Sequence, residues 1–135
     1  MENYVDAGFA GQSLTCLIVD DSAFARFHLR RLIQSMDNVL PSEASNGTEA
    51  ISEYRRLKPD FVLMDIIMPG MEGVETVRRI CAADPFARVI MISSLSHQEK
   101  VQEAMDAGAR YFIPKPVTTG QLKKAIDEVL KTNRA

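Results

Sequence analysis

The sequence predicts an α/β protein built on a doubly wound, five-stranded parallel sheet of order 2-1-3-4-5 with five helices. Three observations carry this. Short apolar runs of strand length alternate five times with segments whose apolar residues recur at helical spacing, and the connections between them are short. Parallel neighbours joined by right-handed crossovers need a helix between them, so this alternation implies helices on both faces of one sheet. Prolines inside strand-like runs occur only at Pro41, in the second, and Pro114, at the end of the fifth. Proline is tolerated in a sheet mainly at edges. The first, third and fourth runs are the most continuously apolar and belong in the middle, an arrangement that the order 2-1-3-4-5 satisfies.

Residues 1–13 mix glycine, acids and small residues without a period and read as an N-terminal arm. The domain spans 14–131, and 132–135 form a C-terminal tail. Leu14 to Val19 is the first strand. Ala25, Leu29, Leu32, Ile33 and Met36 then mark a helix. Val39 to Ser45 is a second strand, and Asn46 with Glu49 opens a helix whose apolar side is Ala50, Ile51, Tyr54 and Leu57. Phe61 to Asp65 forms the third strand, and the loop signal Pro69-Gly70 separates it from a helix marked by Val74, Val77, Ile80 and Cys81. Arg88 to Ser93 is the fourth strand. Ser96 with Glu99 is expected to make a capping box for a helix that stops at Gly108. Tyr111 to Ile113 is the fifth strand, and Thr118 with Gln121 caps the last helix, which carries Leu122, Ala125, Ile126, Val129 and Leu130.

Composition narrows the function. With 46% apolar and 25% charged residues the chain is an ordinary globular domain, and its net charge of −2 gives little pull toward nucleic acid or anionic membrane. No apolar stretch approaches a membrane span, and the start lacks a basic region followed by an apolar segment, so a cytoplasmic location is the expectation. Cys16 and Cys81 fall on apolar sides of their elements and read as inert reduced thiols.

In a sheet of this order the functional crevice lies outside the carboxyl ends of the strands, near the point where strand order reverses. Asp20 and Asp21 follow the first strand, Asp65 ends the third, Ser93 and Ser94 end the fourth, and Lys115 follows the fifth. Each has an ordinary alternative: Asp20, Asp21 or Ser22 as a helix cap, the serines as loop hydroxyls, Lys115 as a solvated charge. Asp65 is harder to dismiss, because an acid directly after a buried run costs desolvation unless something there needs it. Three convergent carboxylates repel unless a cation lies among them. All-oxygen donors without Cys or His favour Mg2+ or Mn2+ over zinc. A lysine and a hydroxyl opposite the acids could receive the oxygens of a phosphoryl group, which describes acyl-phosphate chemistry.

From Leu14 to Leu130 the chain closely resembles the receiver domain of two-component response regulators, the CheY-like family with a flavodoxin-like fold. The matching motifs are the pair Asp20-Asp21, MDIIMPGMEG around Asp65, Ser93 closing RVIMIS, the Gly-Ala of DAGAR, and Lys115-Pro116. The resemblance implies that Asp65 is the phosphorylated residue. It also implies that Asp21, Asp65 and the backbone carbonyl of Ile67 ligate Mg2+, with Asp20 acting through a water. Ser93 and Lys115 would contact the phosphoryl oxygens, and the Lys115-Pro116 bond would be cis. The implied donor is a phosphohistidine on a sensor histidine kinase or phosphotransfer protein. Catalysis would extend only to the domain's own phosphorylation and dephosphorylation. Ser93 and Phe112 would form the switch, Phe112 by ring packing alone because it lacks a hydroxyl, with Tyr111 facing the other way. Ile67 and Leu95 are expected to govern how water reaches the acyl phosphate. Output is expected through the fourth helix, fifth strand and fifth helix, toward a downstream effector protein or a second copy, unless the chain is a receiver cut from something longer.

Phe24 and Phe27 point away from the sheet if Ala25, Leu29, Leu32 and Met36 face it. They either fold down onto neighbouring loops or form a docking patch for the phosphodonor's helices, with Arg26 and Arg30 on the rim. Two other classes fit less well. A flavodoxin-like electron carrier needs a phosphate-cradling loop after the first strand, where DDSAFARF offers acids. A phosphate-independent interaction module would usually lack one of the acids or the lysine, and all are present.

Overall fold

The computed structural model describes residues 13–68 and 70–131. Five strands, β1 (Leu14–Val19), β2 (Val39–Ala44), β3 (Phe61–Asp65), β4 (Val89–Ser93) and β5 (Tyr111–Pro114), alternate with five helices. These are α1 (Ala23–Gln34), α2 (Gly47–Leu57), α3 (Gly73–Ala83), α4 (Gln98–Ala107) and α5 (Thr119–Lys131). All pairings are parallel and the order is β2-β1-β3-β4-β5, as the prolines indicated. Apart from Ser13, the expected arm and tail lie outside the described residues, as does Pro69.

Alternation along the strands divides the core into two layers. Cys16, Ile18, Phe61, Leu63, Ile90 and Ile92 pack on one face against α1 and α5. Leu17, Val19, Val62, Met64, Val89 and Met91 pack on the other against α2, α3 and α4. Strands buried on both faces are why β1, β3 and β4 read as the most continuously apolar runs. Phe112 packs into the layer of α2, α3 and α4, and Tyr111 into the opposite one, as their adjacent positions require.

Most helix ends follow the sequence signals. Ser22 Oγ accepts from the Ala25 N–H, Asn46 Oδ1 accepts from the Glu49 N–H, and Thr118 with Gln121 forms a reciprocal capping box. At Gly108, φ is +127°, and a Cβ there would collide with Cys81 on α3. The start of α4 differs from expectation. Ser96 does not cap it: Leu95–His97 form a separate 3-10 turn, α4 begins at Gln98, and the Ser96 hydroxyl bonds the Ser94 hydroxyl at 2.7 Å. The Ser94 hydroxyl has taken the side chain that a capping box would use.

Candidate functional site

The carboxyl ends of β1, β3 and β5 bring the charged residues together. Phe61 to Met64 have no solvent exposure, and Asp65, the next residue of β3, is still buried. The β1–α1 turn holds Asp20 and Asp21. Because Ser22 takes the helix cap, neither aspartate is committed to it as cap; Asp20 Oδ1 instead accepts from the Ser22 N–H at 2.9 Å. One carboxylate oxygen from each of Asp20, Asp21 and Asp65 lies within 4.8 Å of the other two. Ligands of a cation coordinated at about 2.0–2.1 Å stand at most about 4.2 Å apart across it, so small side-chain adjustments fit this all-oxygen set to a hard divalent ion.

Lys115 reaches the same point from the β5–α5 loop, its Nζ donating to Asp65 Oδ1 at 3.3 Å. Its backbone N–H donates to the Ser93 carbonyl at 2.9 Å, and the Lys115-Pro116 bond is cis, as expected. Burial pushes the Asp65 carboxyl up to about 6, and the charge of Asp20 adds to this against the opposing pull of Lys115. Burial likewise raises Asp20, opposed by the Ser22 N–H and Lys115. The pocket therefore carries excess negative charge that one lysine does not neutralise.

The loop after β3 is held by α3. The Gly73 N–H donates to the Ile66 carbonyl at 2.9 Å, and a Cβ at Gly73 would clash with the Asp65 carbonyl oxygen, well inside van der Waals contact distance. Only glycine lets the first turn of α3 approach the strand end this closely. Ile67 stands 43% exposed beside the acids, and Leu95 is 60% exposed on the β4–α4 loop.

Ser93 is buried at the end of β4. Its Oγ lies 3.4 Å from His97 Nδ1, and Ser94 Oγ lies 3.0 Å from the same nitrogen. Sequence reasoning passed over His97, because Ser93 ends a strand and helical spacing does not relate the two residues; the contact arises from the 3-10 turn Leu95–His97 that follows.

On α1, Phe24 is 80% and Phe27 54% exposed, so they do not fold down onto neighbouring loops. Arg26 and Arg30 do not stand free on a rim. Both Nε groups donate to the Glu43 carboxylate on β2, at 2.9 and 2.5 Å, and Arg26 also donates to the Asp20 carbonyl. Arg31 takes the place beside the aromatics, its guanidinium 5.8 Å from the centre of the Phe27 ring. Between Phe24 and Asp20 lies an apolar groove of about 360 Å³, lined also by His28, Leu29, Ile92, Pro116 and Val117.

A family model described as the response regulator receiver domain matches residues 16–127. The chain is 43% identical over 115 residues to the chemotaxis protein CheY of Thermotoga maritima, covering 85% of this chain and 96% of that protein. Among solved structures it is similar to the response regulator domain of Thermotoga maritima CheB, with TM-score 0.82 and 34% identity over 90% of this chain and 98% of that one. It is also similar to a chain of the CheX-CheY-BeF3-Mg+2 complex from Borrelia burgdorferi, with TM-score 0.81 and 33% identity over 93% and 94%.

Proposed function

The chain belongs to the response regulator receiver family, and from that premise we propose that Asp65 accepts a phosphoryl group from a phosphohistidine on a sensor kinase or phosphotransfer protein. The observation that carries this reading is the gathering of Asp20, Asp21 and Asp65 around one point with Lys115 Nζ at 3.3 Å from the Asp65 carboxylate.

In the reaction an Asp65 carboxylate oxygen attacks phosphorus, the new O–P bond forming as the P–N bond to the donor imidazole breaks. The electron pair leaves with the imidazole, which takes a proton from solvent. Asp21, Asp65 and the Ile67 carbonyl would hold Mg2+, or Mn2+ in its place, with Asp20 acting through a water. The ion supplies charge neutralisation for the phosphoryl oxygens. Lys115 neutralises the remaining charge from the opposite side, and the Ser93 hydroxyl donates to a phosphoryl oxygen. Ile67 and Leu95, exposed at the rim, limit access of hydrolytic water and so set how long the acyl phosphate survives. Phe112, half-buried on the α4 side, reports the modified state by repacking, and the α4–β5–α5 face passes it to an effector or a second copy. Phe24, Phe27 and the groove behind them offer an apolar seat for the donor's helices.

The test is a titration of Mg2+ with beryllofluoride, or a small phosphodonor, against the protein and Asp65→Asn. A Mg2+-dependent spectroscopic change in the first and none in the second is expected. Absence of any response in the unmodified protein would remove the phosphoacceptor reading.

A further inference from the structure

We propose that His97 is a positioning residue that holds the Ser93 hydroxyl away from the phosphoryl site until Asp65 is modified. This rests on the phosphoacceptor reading and adds a group to it. With its proton on Nε2, the imidazole offers Nδ1 as an acceptor, and two hydroxyls converge on that nitrogen, Ser94 at 3.0 Å and Ser93 at 3.4 Å. One ring nitrogen has one lone pair, so the two contacts are unequal. The Ser94 bond is the better one and is itself supported by Ser96 at 2.7 Å. It fixes the imidazole in the 3-10 turn Leu95–His97, where the His97 N–H also donates to the Ser94 carbonyl. The Ser93 contact stands at the long end of hydrogen-bond range and is the weak member of the set.

That inequality makes a latch that opens without dismantling its mount. Ser93 is buried, so its hydroxyl needs a partner within the protein. Before phosphorylation that partner is His97. A phosphoryl group on Asp65 offers charged oxygens, which form stronger hydrogen bonds than a neutral ring nitrogen, and Ser93 turns to them. His97 then keeps Ser94 alone, and the turn that precedes Gln98 loses its tie to β4. Alternation along β4 puts Ser93 on the face covered by α4, the face into which Phe112 also packs. The latch therefore couples the modified carboxylate to the first turn of α4.

The experiment is a double-mutant cycle read by beryllofluoride affinity in saturating Mg2+, with the unmodified protein, His97→Ala, Ser93→Ala and the double variant. Removing the latch strands the Ser93 hydroxyl in the unmodified state, so His97→Ala should bind about two- to tenfold more tightly. The gain should vanish in the Ser93→Ala background. His97→Asn, whose side-chain oxygen can stand where Nδ1 stood, should restore the affinity of the unmodified protein, a rescue that a purely structural role of the ring would not show. Binding by the unmodified protein with equal affinity in His97→Ala, or with a gain that persists without Ser93, would overturn the latch and leave the phosphoacceptor reading standing. No binding by the unmodified protein would overturn both.

Discussion

Asp65 ends a strand whose preceding four residues are closed to solvent, and burial together with the Asp20 charge raises its carboxyl to about 6 despite Lys115. A carboxyl raised above its unfolded value of about 3.9 favours folding only while protonated. That contribution is complete below about pH 4 and is lost as pH rises through about 6, so at neutral pH the metal-free site works against the fold. Asp65→Asn removes the ionisation and is expected to be more stable than the metal-free protein by about 1 to 3 kcal/mol at pH 7.5, with the gap closing near pH 4. Urea unfolding in a chelator at the two pH values measures it. A variant less stable at pH 7.5 would refute the charge argument. Mg2+ should reverse the ranking by stabilising only the protein that retains Asp65. The carboxylates and Lys115 were legible because each stands at the end of an apolar run. Arg26 and Arg30 were misjudged because spacing along a helix does not say which strand supplies a counter-charge, here Glu43 on the neighbouring edge strand.

At the scale of elements, helix starts were read correctly where a single side chain faced a free N–H, as at Asn46 and Thr118, and incorrectly at Ser96, where competing hydroxyls stood within reach. Capping patterns compete with every nearby partner, and a sequence shows the pattern without the competitors. Close approach is equally hidden. Gly73 was read only as part of the MDIIMPGMEG motif, yet it is the contact through which α3 braces the strand end that carries Asp65. Gly73→Ala must displace backbone, since its added carbon meets the Asp65 carbonyl and the Ile66 Cα rather than a flexible side chain. A loss of about 1 to 3 kcal/mol is expected, together with weaker Mg2+ binding because the loop bearing Ile67 shifts. Gly120 in the first turn of α5 has open space around it, and Gly120→Ala should instead gain about 0.4 to 1 kcal/mol. Equal stabilities for the two variants would show that α3 does not brace the site.

For the molecule as a whole, sheet order followed from two edge prolines and the three most continuously apolar strands, because edges and centres obey different rules of burial and hydrogen bonding. What the pattern could not show is how the two faces divide the work. By alternation Asp65 and Ile92 belong to the layer of α1 and α5, whereas Ser93 and Phe112 belong to the layer of α4. The aromatic pair on α1 and the groove beside Lys115 lie on the first side, the His97 turn on the second. Reception and readout should then be separable by mutation. Phe24→Ala with Phe27→Ala removes exposed rings, so stability should change by no more than about 0.5 kcal/mol, and beryllofluoride binding should be unchanged. Transfer from the cognate kinase, timed with labelled donor, should slow by about tenfold or more if these rings anchor the complex. Phe112→Ala should show the converse, accepting phosphate at the normal rate while the amide resonances of α4 cease to respond. Loss of both properties in either variant would mean that the sheet transmits strain between its layers and that reception and readout are one event.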